Sequence, residues 1–165
     1  GGHSCLRATG RVGRQSTLAA GVRKEKGALK AITLSAVPEL SLGKALRTLG
    51  GLVTGDGSKV SAVGKHITTL EGVPAGVASR ATHLYLSNNS LSSLQGLDSF
   101  SGVISMSIAH NLVRRVEDLR PLAALARVET VSLEGNAVCG AANYRAHVVA
   151  LLGSSCLRTL DRREV

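Results

Sequence analysis

Few side chains in this sequence have types and spacings that could perform covalent or metal chemistry. Its 165 residues include three cysteines, Cys5, Cys139 and Cys156, and five histidines. Cys139, His147 and Cys156 could be gathered into a metal cluster, but their spacings match no common zinc pattern and only three ligands are on offer where structural zinc takes four. A Cys139–His147 nucleophilic pair has no third group to orient the base. The glycine-rich stretch 50–59 lacks the Gly-Lys-Ser/Thr ending of a phosphate-binding loop. Cys139 and Cys156 are therefore read as cap residues, and His66, His83 and His110 as exposed polar positions in separate turns. No catalytic, cofactor-binding or metal-binding residue is assigned. The polar type that recurs at regular spacing is asparagine: Asn89, Asn111 and Asn136, 22 and 25 residues apart. A carboxamide carries two donor hydrogens and an acceptor oxygen, so the chemistry expected of it is hydrogen bonding.

The elements that position these asparagines follow from their surroundings. Leu84-Tyr85-Leu86-Ser87-Asn88-Asn89-Ser90-Leu91, Met106-Ser107-Ile108-Ala109-His110-Asn111-Leu112-Val113 and Val131-Ser132-Leu133-Glu134-Gly135-Asn136-Ala137-Val138 share the frame apolar-x-apolar-x-x-Asn-x-apolar. Alternation of apolar and other residues marks a short strand with one buried face. Asparagine follows where the chain turns and backbone groups need partners. One such unit cannot bury its own apolar face, so copies must stack. After Asn89 come Leu91, Leu94 and Leu97, and after Asn111 come Val113, Val116 and Leu119; this spacing of three suits a helical or 3₁₀ return. The pattern is that of a leucine-rich repeat, whose period is about 20–29 residues. It predicts an α/β solenoid with short parallel strands on a concave face and helical or 3₁₀ returns on a convex one. Asn89, Asn111 and Asn136 are expected to form a structural ladder.

The repeats resemble the short intracellular leucine-rich repeats of the protein phosphatase-one regulatory subunit type. The resemblance runs from about residue 60 to residue 165. It includes a segment similar to that subclass's helical C-terminal cap: Leu133-Glu134-Gly135-Asn136-Ala137-Val138-Cys139, then Tyr144-Arg145, Val148, Leu151-Leu152 and Leu157, with Leu160-Asp161 near the end. Ala137 stands where the family usually has proline. The resemblance implies cap roles for Tyr144, Val148, Leu152, Leu160 and Asp161. Members of the subclass are protein-binding scaffolds of cilia, centrosomes and dynein arms, phosphatase regulators and spliceosomal components.

The rest of the chain divides around this block. Residues 1–30 carry seven basic side chains and one acid, six of the chain's nine net positive charges. They show no apolar periodicity and read as a disordered basic tail. Such a tail could meet an acidic partner, tubulin or nucleic acid, serve as an Arg-rich targeting segment, or act as a solvated linker. Residues 31–59 read as an N-terminal cap with a helix at about 38–49. Pro38 would sit in its first turn, Leu42, Ala45, Leu46 and Leu49 on one face, and Gly50 at its end. Residues 60–138 hold the repeats, the first degenerate with Lys65 in the asparagine position, and 139–165 form the C-terminal cap. With 44% hydrophobic but only 2% aromatic residues, the core must be aliphatic. There is no apolar run long enough to span a membrane. An odd cysteine count suits a reducing compartment, and a first residue other than Met suggests a fragment or processed chain.

Side chains flanking each strand's buried residue face the concave surface. They are Lys59, Ser61 and Val63; His83, Tyr85 and Ser87; Ser105, Ser107 and Ala109; Thr130, Ser132 and Glu134, with Asn88 and His110 at the rim. This small, polar, nearly uncharged stripe with Tyr85 as an aromatic anchor suits a protein partner. The function expected is non-enzymatic scaffolding within a larger cytoplasmic protein of the cytoskeleton, cilium or centrosome. The alternatives are a ribonucleoprotein or nucleic-acid-associated adaptor using the basic tail, and a phosphatase regulatory subunit.

Overall fold

The computed structural model describes residues 38–153 and 156–165, and Glu39–Val165 form one compact unit. The segment 1–30, read as a basic tail, lies outside the described residues. Within the unit, strands β1 (Lys59–Ser61), β2 (His83–Tyr85), β3 (Ser105–Ser107), β4 (Thr130–Ser132) and β5 (Thr159–Leu160) pair in chain order and in parallel. Strand β6 (Arg163–Glu164) folds back antiparallel on β5. The register aligns Val60, Leu84, Met106, Val131 and Leu160 in one row, and all five are buried. A slip of one residue would turn this row outward, so the alternation itself fixes the pairing. The architecture is the α/β leucine-rich repeat solenoid.

The returns differ with the number of residues available. Between β2 and β3 the chain makes a 3₁₀ turn at Leu97–Ser99, with Leu91, Leu94, Leu97 and Phe100 buried beneath it. Between β3 and β4, three residues more, the 3₁₀ segment extends over Val116–Ala124. Apolar residues three apart share one edge of such a helix, which is how Leu119, Leu122 and Leu125 all reach the core. The first return instead holds an α-helix, α2 (Ala75–Arg80), entered at Pro74. Little in its composition announces it: six residues including Gly76 carry weak helical propensity.

Two caps close the apolar stack. At the start, α1 (Leu42–Thr48) buries Leu42 and Ala45. It is shorter at both ends than the 38–49 reading. Ser41 begins it, its hydroxyl accepting the Lys44 N–H at 3.2 Å, and Leu49, not Gly50, leaves the helical conformation. A side-chain oxygen at that position satisfies an amide the first turn would otherwise orphan, which Pro38 could not do. Gly43 is required by close approach, since a Cβ there would run into the Gly72 carbonyl. At the other end α3 (Tyr144–Leu152) turns Tyr144, Val148 and Leu152 inward, alongside the buried Leu157 and Leu160. Each fully buried Leu or Val contributes about 1.5–3 kcal/mol relative to exposure.

Candidate functional site: the concave strand face and its asparagine turns

The turns set the geometry of the face. Asn89, Asn111 and Asn136 are all buried. The Asn89 Oδ1 accepts the N–H groups of Lys65 and Ile67, both at 3.0 Å, while its Nδ2 donates to the carbonyls of Ala62 at 2.7 Å and Leu86 at 2.9 Å. Asn111 accepts from Leu91 at 3.1 Å and donates to Leu86 at 2.9 Å and Ile108 at 3.0 Å. Asn136 accepts from Val113 at 3.2 Å and donates to Ile108 at 2.9 Å and Leu133 at 2.7 Å. Each carboxamide thus ties its own turn to the preceding one. No buried side-chain nitrogen or oxygen among the described residues is left without a partner. Lys65, in the same position of the first repeat, is exposed. It has no earlier asparagine turn to join; there the Thr68 and Leu42 amides bond Leu40 and Thr69 instead.

The residue just before each ladder position has positive φ: Gly64 (65°), Asn88 (58°), His110 (54°) and Gly135 (73°). This left-handed region costs least for glycine and is tolerated by asparagine. Asn88 and His110 are exposed at the rim, and that backbone requirement bears on their residue types independently of any partner. The His110 ring lies over Gly135, where a Cβ would collide with it.

Strand register arranges the concave side chains in rows. One row is Lys59, His83, Ser105, Thr130 and Thr159; the next is Ser61, Tyr85, Ser107 and Ser132. Lys59 and Thr130 are exposed, and the rest are partly exposed. The His83 and Tyr85 rings stack with centroids 6.5 Å apart, and Lys59 Nζ sits 4.9 Å from the Tyr85 ring centre. A cation over an aromatic face is held by the ring quadrupole. His83 is thus half-buried in this face rather than an exposed turn residue, with Nδ1 2.9 Å from the Thr82 hydroxyl. The Ser87 and Ser107 hydroxyls bond at 2.8 Å. Beyond β4, Glu134 pairs with Arg162 at 3.4 Å and Glu129 with Arg158 at 3.5 Å.

The stripe is therefore less neutral than its sequence suggested. Small hydroxyl residues of β3 and β4 lie between a Lys59–Tyr85–His83 cluster and the Glu134–Arg162 pair. The Lys59 contact was latent in the 24-residue offset that aligns it with His83. Arg162 carried no such signal, because its position depends on the β5–β6 hairpin.

The C-terminal cap brings Tyr144, Cys139 and Asp161 together. The Cys139 thiol donates to the Leu133 carbonyl at 3.1 Å, and burial pushes its pKa up, away from the thiolate a nucleophile needs. Burial, reinforced by the hydrogen bond to Asp161, also pushes the Tyr144 phenol far above its ordinary value. Among the described residues, no three His, Cys, Asp or Glu side chains converge as a metal site. No helix among them is long and apolar enough to cross a membrane.

No family model matches the chain. Over 83 residues it is 36% identical to the U2 small nuclear ribonucleoprotein A′ of Saccharomyces cerevisiae, a match covering 50% of this chain and 34% of that protein. The chain thus spans about a third of the length of that curated relative. The fold matches a chain of the Drosophila melanogaster SNF/U2A′ complex with a TM-score of 0.58 and 21% identity, over 76% of this chain and 86% of that one. These likenesses retain the repeat fold implied by the phosphatase-regulator resemblance and lend nothing to that particular type. They also correct the expected location. A relative that is by name a small nuclear ribonucleoprotein overturns the cytoplasmic, ciliary or centrosomal reading; that reading leaned on how common such repeats are in those structures, which no residue of this chain records. The repeat pattern and the likeness in fold together give the chain the leucine-rich repeat fold.

Proposed function

We propose that this chain is a non-enzymatic scaffold of a ribonucleoprotein assembly, holding a protein partner against its concave strand face. The observation that carries the reading is the 36% identity, over half the chain, to a protein named as a small nuclear ribonucleoprotein component. A solved structure with the same fold is a complex with SNF, which supports a protein as the occupant. The face suits that role: its middle is lined by small hydroxyls, and Tyr85 stands beside them as a rigid aromatic anchor. Tyrosine is enriched among residues that dominate binding energy.

The test is capture of SNF, or its counterpart in the source of this chain, by the purified full chain. Wild type, Tyr85→Ala and Ser107→Arg are compared at matched thermal stability. Tyr85→Ala removes the anchor, and Ser107→Arg puts bulk and charge into the contact. Capture by wild type and about tenfold or greater loss in both variants, a difference of roughly 1.4 kcal/mol, is the expected outcome. Undiminished capture by both variants would place the partner elsewhere.

A further inference from the structure

The side of the solenoid that follows the asparagine turns carries an open recess of about 390 Å³, lined by Ser92, Ser93, Leu112, Arg114, Arg115 and Asp118. The repeat builds it. Ser92 and Arg114 are the third residues after Asn89 and Asn111, and Ser93 and Arg115 the fourth. A 2.9 Å bond from the Leu112 amide to the Leu91 carbonyl holds the two turns side by side.

The polar groups of the recess are mostly donors, beside one carboxylate. Arg114 is exposed and makes no ion pair among the described residues. Arg115 meets Asp118 through Nε alone at 3.9 Å, with 78% of its side chain exposed, so its two terminal nitrogens stay uncommitted. Asp118 is partly occupied elsewhere, its Oδ2 accepting the Arg115 backbone N–H at 3.3 Å. Ser93 Oγ accepts the Gln95 amide at 3.3 Å and keeps its own hydrogen to give. Beside the guanidiniums, Leu112 is 50% exposed, an apolar surface unusual at the mouth of a charged recess.

We propose that this recess binds the phosphodiester backbone of RNA. Guanidinium forks pair bidentately with phosphate oxygens, serine hydroxyls supply further donors, and Leu112 offers apolar contact to the sugar or base beside the phosphate. A carboxylate peptide presents two oxygens to the arginines, as a phosphodiester does, but has no ribose 2′-hydroxyl for the serines and Asp118 to meet. The choice of RNA rests on the ribonucleoprotein reading above; the site itself uses none of the concave-face residues.

Fluorescence anisotropy with a short labelled single-stranded RNA tests this on the full chain across a salt series. R114Q/R115Q is compared with R120Q/R127Q, which removes the same charge from two exposed arginines outside the recess. The expected result is about a tenfold loss for R114Q/R115Q at low salt. Its slope of log affinity against log salt should shrink by roughly 0.7–1.4, as for one or two phosphate contacts, while R120Q/R127Q stays near wild type. Equal losses in the two pairs would overturn the proposal in favour of diffuse charge attraction. Displacement of the RNA by polyglutamate at equal charge would overturn it in favour of an acidic protein segment, and absence of wild-type binding would overturn it outright. Tyr85→Ala measured alongside separates the two readings: partner capture unaffected by Tyr85→Ala sinks only the concave face, and RNA binding unaffected by R114Q/R115Q sinks only the recess.

Discussion

The Tyr144 hydroxyl donates to Asp161 Oδ2 at 2.9 Å, while Oδ1 of the same carboxylate accepts the Leu133 N–H at 2.7 Å. In earlier repeats the equivalent amides, Ala62, Leu86 and Ile108, bond the backbone carbonyl of the next strand. At the last full repeat a carboxylate substitutes for that carbonyl, and the cap helix holds it in place. Tyr144→Ala should therefore cost about 3–5 kcal/mol, the usual loss for a large buried side chain. Asp161→Ala should cost roughly 1–3 kcal/mol through the orphaned amide and phenol. Chemical denaturation of both variants checks these values.

The same phenol gives an alkaline signature. Its pKa in the folded chain is raised above the ordinary 10.0, so above pH 10 the unfolded chain has released a proton that the folded chain keeps. The unfolded state then binds fewer protons, and stability must fall as pH rises, at up to about 1.4 kcal/mol per pH unit for this group. The Cys139 thiol, raised from 9.0, adds a loss of the same sign beginning lower. Tyr144→Phe should flatten the decline above pH 10 and leave the earlier component. Unfolding midpoints across that range would show it; a decline identical to wild type would contradict the assignment.

Asn111→Ala should lower stability by about 1–3 kcal/mol, because the Leu91 amide and the Leu86 and Ile108 carbonyls lose buried partners. Lys65→Ala, at the equivalent place in the first repeat, should stay within roughly 0.5 kcal/mol, as exposed side chains usually do. The contrast between the two midpoints is the informative quantity.

Gly43→Ala should destabilise by about 1–3 kcal/mol, since α1 must move off the Gly72 carbonyl to admit a methyl group. Gly76→Ala, in α2 with open space around it, should be neutral or stabilising by up to about 1 kcal/mol. Thermal melts of the pair separate steric exclusion from a general effect of replacing glycine.

The parts legible in the sequence are those that repeat. Leu84 and Leu86, Met106 and Ile108, and Val131 and Leu133 announced strands by alternation, and the asparagines fixed their register because each must reach the preceding turn. The alternation and the ladder together place the concave rows. What could not be read depends on single tertiary meetings: Arg162 against Glu134, and Asp161 standing in for a carbonyl. These arise at the ends of the solenoid, where the repeat no longer dictates the neighbour. Location was illegible for another reason. A solenoid's stacking residues serve the core and carry no cellular address.

The central claim, that the concave face is where a protein partner sits, is tested most directly by the affinity of the full chain for SNF or its counterpart, measured by titration calorimetry for wild type, Tyr85→Ala and Ser107→Arg. Binding by wild type, with about tenfold or greater weakening in each variant and little change in their melting curves, is the expected result. Equal affinity for all three proteins would contradict it.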